Sequence, residues 1–197
     1  VDEAHGIGIF GDNGQGLCHK TNTLNNIDLL LLAFGKAVGL CGGMVLGNNP
    51  LINHIRAHCR GYIYTTALPI PIVATLISAK DVIHHATEQR HQLQLNIAQF
   101  RDQLQAQFQQ YLTQSNSPIQ PICIGEPTAA IQFSDALNNH GIIAKAVHHP
   151  TVPKHQSRCR LTITSRHSRD NILAITTAIQ QELPSIHTPT NLIDAKY

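Results

Sequence analysis

The sequence predicts an α/β first part, a long helical middle and a small α+β domain at the C-terminal end. Three observations predict this. Residues 1–47 alternate short apolar runs with glycine-dense loops, as buried strands joined by tight turns do. From Ile72 to Ser117 there is neither glycine nor proline, and Leu93, Ile97, Phe100, Leu104, Phe108, Tyr111 and Leu112 recur every three or four residues, which is one apolar face of a helix. Beyond Pro118 the pattern reads strand, helix, strand, strand, helix.

Val1-Asp2 reads as the end of a strand. Asn26 to Ala33 (N-I-D-L-L-L-L-A) is a nearly continuous apolar run, as for a strand buried on both faces. The loop F-G-K-A-V-G-L-C-G-G comes next, then a strand at Met44-Val45-Leu46. Leu51 to Cys59 is predicted as a short helix after Pro50, and Tyr62 to Thr66, aromatic and β-branched, as extended. Ten glutamines between Gln89 and Gln114 occupy the other faces of the long helix and read as a solvated surface. Ser115 to Ser117 with Pro118 ends that helix and sets a domain boundary. Then come a strand (Ile119 to Ile124), a helix (Thr128 to Asn139), strands at Ile142 to Val147 and Arg160 to Thr164, and a helix (Arg169 to Leu183). From Pro184 the periodicity stops, as in a loose tail. The expected division is 1–114, 115–183 and a tail 184–197.

Composition removes several classes of function. Hydrophobic residues make up 42% of 197, which supports a packed core. A net charge of +2, with 13% charged residues and no Lys/Arg-rich run, leaves no footprint for nucleic acid. The longest apolar run, Ile27 to Phe34, is interrupted by Asp28 and too short to span a bilayer. No signal-peptide pattern opens the chain. Five cysteines (Cys18, Cys41, Cys59, Cys123, Cys159) lie far apart with no C-x-x-C pair, which fits a reduced, cytoplasmic setting. The sequence starts at Val1 and its single methionine is Met44, so it is expected to be a fragment of a longer chain.

Three clusters carry chemistry. V-D-E-A-H-G (Val1 to Gly6) puts the Asp2 carboxylate and the His5 imidazole at the C-terminal edge of a strand, where open α/β sheets bind ligands. A-F-G-K-A-V-G-L-C-G-G places Lys36 straight after a strand, in a turn among Gly35, Gly39, Gly42 and Gly43. Partial burial there would depress the amine's pKa and make it a nucleophile toward carbonyls. In R-C-R-L-T-I-T, Arg158 and Arg160 share one face of a strand, and a guanidinium there can grip a carboxylate by two hydrogen bonds. Two other patterns are set aside. Gly6, Gly8 and Gly11 spell G-x-G-x-x-G, but Gly14 and Gly16 break the helix that a dinucleotide site requires. The thirteen histidines, including His54 and His58, His84-His85 and His148-His149, have no metal-ligand spacing and read as polar helix surface.

Taken in order, V-D-E-A-H-G, A-F-G-K-A-V-G, I-Y-T-T-A-L-P, S-P-I-Q-P-I, P-T-V-P and R-C-R-L-T-I-T-S-R-H resemble the α-oxoamine synthases, from Val1 to about Leu183. These are fold-type I enzymes dependent on pyridoxal 5'-phosphate (PLP). The resemblance implies the C-terminal part of the large PLP-binding domain followed by a small α+β domain. Within the family, S-P-I-Q-P-I with P-T-V-P is most similar to the members that condense L-alanine with a pimeloyl thioester, on coenzyme A (CoA) or acyl carrier protein (ACP), in biotin biosynthesis. 2-Amino-3-ketobutyrate ligase and 5-aminolevulinate synthase are the alternatives. A non-catalytic relic is the alternative of a different class.

The resemblance also implies residue roles. Lys36 would carry PLP as a Schiff base and move the substrate Cα proton; Asp2 would face the pyridinium nitrogen, and His5 the ring's phenolic oxygen. Arg160 would hold the amino-acid carboxylate. Thr66, or Thr65, would reach the phosphate across a homodimer interface. Two positions depart from the family. Ala33 stands where a phosphate-binding Thr is usual, at a cost of about 1.5–3 kcal/mol of cofactor binding. His148 stands where an Arg is usual, which weakens recognition of an acidic group at neutral pH.

Overall fold

The computed structural model describes residues 1–186. By its contacts the chain divides into two compact units, Val1–Arg90 and His91–Tyr197.

In the first unit, the Val1 carbonyl accepts from Leu31 N–H, and Glu3 N–H donates to the Leu31 carbonyl, both at 2.8 Å. Asp2 and Leu31 are thereby bridged in parallel. After a glycine-rich loop come helix α1 (Leu17–Lys20), a 3₁₀ turn (Leu24–Asn26) and strand β1 (Leu29–Ala33). The apolar run therefore pairs only from Leu29, because Leu24 to Asn26 closes a turn in which Asn26 N–H donates to the Thr23 carbonyl at 3.0 Å. Strand β2 (Gly43–Gly47) pairs antiparallel with β1. Burial on both faces is not observed. Strand β2 is exposed throughout, and Leu31 at 41% and Met44 at 46% are open, since two strands and one bridge cover little of each other.

Helix α2 (Asn49–His58) starts where the Asn48 side chain accepts Leu51 N–H at 3.0 Å, with Pro50 in the first turn. Helix α3 (Arg60–Ile63) takes in Tyr62, and Tyr64 and Thr65 form a turn and a bend. The extended segment expected at Tyr62 to Thr66 is therefore absent. Tyr62, Ile63 and Tyr64 N–H groups donate back to Cys59 and Arg60 carbonyls at 2.9–3.0 Å, and this local pattern overrides the strand propensity of aromatic and β-branched residues.

The glycine-free stretch forms two helices, α4 (Ile70–His85) and α5 (Thr87–Phe108). Arg90 accounts for the break at Ala86. Its guanidinium is buried and donates to the carbonyls of Ile83 at 2.6 Å and His84 at 3.3 Å, to Thr87 Oγ1 at 3.1 Å and to the Asp12 carbonyl at 2.8 Å. It satisfies the last carbonyls of α4 and ties the glycine-rich loop to the junction.

In the second unit, Leu93, Ile97, Phe100, Leu104 and Phe108 of α5 are buried, as the period predicts. The helix ends at Phe108, before the serines, and passes into a 3₁₀ turn (Gln109–Tyr111). Next come strand β3 (Ile119–Gly125), helix α6 (Pro127–Asn139), strand β4 (Lys145–Val147), strand β5 (Ser157–Thr162) and helix α7 (Arg169–Glu182), and the antiparallel sheet has the order β3-β5-β4. Ile122, Ile124, Phe133, Leu137, Cys159, Leu161, Ile172 and Ile179 form the core. Burial raises the Cys159 thiol pKa to about 12, with the Ser134 hydrogen bond opposing, so this thiol stays protonated and inert.

The two units part at Arg90 and not at the expected 114/115 boundary, because α5 packs with the elements C-terminal to it. Asn96 Nδ2 donates to the carbonyls of Thr164 and His167, both at 2.9 Å, and Gln180 Nε2 donates to the Gln103 carbonyl at 2.9 Å. Thr176 Oγ1 also meets Gln103 Oε1. Part of the glutamine-rich surface thus makes packing contacts rather than only facing solvent. The Ser168 side chain accepts Asn171 N–H and opens α7 as a capping box. The expected tail starts as a 3₁₀ turn at Leu183–Ser185; positions 187–197 lie outside the described residues. Among the described residues, no helix is long and apolar enough to cross a membrane.

Candidate active site

Asp2 and β1 run parallel, so the segments that continue from each of them leave the sheet at the same, C-terminal edge. From one comes Ala4-His5, and from the other Phe34-Gly35-Lys36. Asp2 Oδ1 accepts Ala4 N–H at 2.7 Å, which orients the carboxylate. The Glu3 carbonyl accepts Gly6 N–H at 2.9 Å and Ile7 N–H at 3.0 Å, which curls Ala4-His5 into a tight turn. Asp2 and His5 are both exposed.

The Lys36 loop is closed by Phe34 N–H to the Gly42 carbonyl at 3.0 Å, Leu40 N–H to the Phe34 carbonyl at 2.9 Å and Gly39 N–H to the Lys36 carbonyl at 3.0 Å. Buried Phe34 anchors it. Lys36 itself is exposed, and a Cβ on Gly35 would meet nothing within 4 Å. The partial burial expected for this amine is therefore not present in the chain.

Two close approaches bring the motifs together. A Cβ on Gly8, three residues after His5, would lie 2.9 Å from the Ala37 Cβ, and Gly8 has φ +78°. The loop after His5 thus lies directly against the residue after Lys36. A Cβ on Gly42 would lie 2.8 Å from Leu68 Cδ1, so the segment carrying Thr65 and Thr66, both exposed, rests on the lysine loop. In the protein expressed from its natural gene, Gly8→Ala is expected to push Ala37 and Lys36 out of place and to weaken binding of the PLP that the resemblance implies by about 10-fold, while the fold persists. Fluorescence titration of PLP, with circular dichroism as the folding control, measures both.

Arg158 and Arg160 lie on the open face of β5, opposite buried Ser157, Cys159 and Leu161, as the sequence predicts. The two differ in their contacts. Arg158 donates through Nε to the Gln156 carbonyl at 3.2 Å and through Nη2 to Gln156 Oε1 at 3.4 Å. Arg160 makes no side-chain hydrogen bond or ion pair among the described residues. Its register partner on β4 is Lys145, a residue that no sequence motif marks. The three strands carry no Asp or Glu, and two cations directly opposite each other repel. An anion on this face would relieve that.

Ala33 is the last residue of β1. His148 is exposed, and its Nδ1 contacts the His149 carbonyl at 2.9 Å. Among the described residues, no group of three or more His, Cys, Asp or Glu is arranged to hold a metal ion. The His54 and His58 rings stack at 4.2 Å on α2.

The donor set fits a pyridoxal group. A carboxylate, an imidazole and a primary amine leaving one sheet edge match its ring nitrogen, phenolic oxygen and aldehyde. Comparison with known proteins supplies the class: the chain belongs to the aminotransferase class I and II family, matched over residues 1–179. Its relatives are more particular. It is 34% identical to the 8-amino-7-oxononanoate synthase of Chromohalobacter salexigens, over 89% of this chain and 45% of the relative. It is 37% identical to that of Serratia proteamaculans, over 87% and 44%. Among solved structures, a serine palmitoyltransferase of S. paucimobilis with a bound PLP–myriocin aldimine is 29% identical, with TM-score 0.86 over 94% of this chain and 47% of that one. The 8-amino-7-oxononanoate synthase of Francisella tularensis is 28% identical, with TM-score 0.83 over 94% and 54%. PLP is the cofactor of this family. The chain spans about half the length of the curated relatives it matches.

Proposed function

We propose that this chain is the part of an 8-amino-7-oxononanoate synthase that carries the lysine and the substrate arginine. In this reading the protein is a PLP-dependent acyltransferase, acting as a cytoplasmic homodimer. It condenses L-alanine with pimeloyl-CoA or pimeloyl-ACP, releasing carbon dioxide and the free thiol. The observation that carries the proposal is the common edge shared by Asp2, His5 and Lys36; the sequence relatives are named 8-amino-7-oxononanoate synthase, which supports that product.

Bound PLP supplies an electron sink for charge developing at the substrate Cα. The side chains do the rest. Lys36 Nζ would hold the cofactor until the substrate's amino group displaces it, and the freed amine would then take and return the Cα proton. Asp2 would face the ring nitrogen and favour its protonated form, and His5 would hydrogen-bond the phenolic oxygen. Arg160 would hold the amino-acid carboxylate. Thr66 or Thr65 would reach the phosphate.

A second reading keeps the chemistry and changes the substrates, because serine palmitoyltransferase structures superpose as well as the synthase does. The experiment is a condensation assay on the protein expressed from its natural gene, with L-alanine or L-serine crossed against pimeloyl and palmitoyl thioesters. Carbon dioxide release with alanine and pimeloyl thioester alone supports the first reading, serine with palmitoyl thioester supports the second, and release with neither overturns both. The 197-residue chain by itself, lacking about half of its relatives' length, is expected to bind PLP poorly and to turn over nothing.

A further inference from the structure

Between the two proposed cofactor contacts, Asp2 and His5, stands a residue that the proposed chemistry does not use. Glu3 is a carboxylic acid only 3% exposed, and a buried carboxylate is costly unless its oxygens are satisfied. Its Oε1 accepts Cys18 N–H at 2.5 Å. Burial pushes its pKa up, but hydrogen bonds from the Cys18 thiol and from the Cys18 and Leu17 amides outweigh this and hold it below the usual carboxylate value. In turn, Glu3 holds the Cys18 thiol above its ordinary value.

The glycines around it complete the picture. A Cβ on Gly6 would lie 1.6 Å from Glu3 Oε2, and one on Gly16, where φ is +110°, would lie 2.8 Å from the Glu3 carboxyl carbon. Part of the glycine pattern that fails as a dinucleotide fingerprint thus serves another purpose: it leaves room for a carboxylate. The same residue's backbone is fixed on both sides, by Glu3 N–H to the Leu31 carbonyl and by Gly6 and Ile7 N–H to its own carbonyl. Glu3 therefore joins β1, the Asp2–His5 turn and the start of α1 through one residue.

We propose that Glu3 is a positioning residue, which sets where Asp2 and His5 stand relative to PLP by anchoring the Leu17-Cys18 amides behind them. This rests on the PLP reading above. In Glu3→Gln, the carbonyl oxygen can still accept one amide, but the charge is lost and the other oxygen becomes an NH₂ that cannot accept, so the anchor is weakened while the size is kept. Cys18→Ser keeps both amides and a hydroxyl donor.

The test uses the protein expressed from its natural gene and three readouts: PLP affinity, the pH midpoint at which the visible band of bound PLP titrates, and Tm. Glu3→Gln is expected to weaken PLP about 10-fold or more and to move the midpoint by at least about half a pH unit; Cys18→Ser should leave both near wild type. A Glu3→Gln protein with a lower Tm but unchanged affinity and midpoint would reduce Glu3 to a merely structural role and overturn the proposal. If Glu3→Gln cannot be purified folded, Gly16→Ala, which crowds the same carboxylate, carries the same test, and wild-type values for both readouts overturn the proposal. Loss of the PLP band in wild type, or its survival in Lys36→Ala, would instead strike the PLP reading itself.

Discussion

Lys36→Ala, in the protein expressed from its natural gene, is expected to abolish the visible absorbance of bound PLP and its fixation to protein by borohydride. Condensation should fall by about 10³-fold or more, equivalent to about 4 kcal/mol. Among the described residues, no neighbour is placed to replace the amine. Lys36 comes after the strand of the first unit that pairs beside Asp2, and the other lysines of that unit are Lys20 in α1 and Lys80 in α4. Lys80 already pairs with Asp81 at 3.3 Å, and Lys20 lies over the Phe10 ring at 5.4 Å. Because Lys36 is exposed and its neighbour Gly35 is open, the substitution should leave folding unchanged. Survival of the band together with the borohydride adduct would discard the assignment of this lysine.

How much of this is legible in the sequence depends on whether the signal is local. The apolar face of α5, a short helix around Pro50 and the shared face of Arg158 and Arg160 rest on period and on proline's place in a first turn, and the structure has them, with the helix starting two residues before the expected Leu51. Elements whose limits depend on distant partners are not legible in this way. The break at Ala86 needs Arg90 to reach back to Ile83 and across to Asp12, and nothing in a glycine-free run announces that. The helix at Tyr62 forms because of local carbonyls at Cys59 and Arg60, against the propensity of its side chains. The glycine setting of Lys36 marks the residue but not its exposure, since burial depends on what surrounds the loop. Glu3 is hidden between two conspicuous neighbours. Its signal is present in Gly6 and Gly16, whose missing side chains leave room for its carboxylate.

Arg160→Ala is expected to raise the KM for the amino acid about 10- to 100-fold, as loss of a charge-assisted, two-pronged hydrogen bond should. PLP binding and its absorbance should stay near wild type, because the proposed partner of Arg160 is the substrate carboxylate and not the cofactor. The same substitution should raise Tm slightly in low salt and without substrate. Arg160 stands in register with Lys145 on β4, and no acid lies on the three strands, so removing one cation relieves repulsion. A side chain kept for folding would do the opposite on both counts. The pair of signs is therefore the diagnostic: a face that is less stable with its cation than without it, and that recovers stability when a carboxylate arrives, is built for the carboxylate. Arg160→Ala with an unchanged KM would move substrate recognition elsewhere, and Arg158, already held by Gln156, would be the next residue to replace.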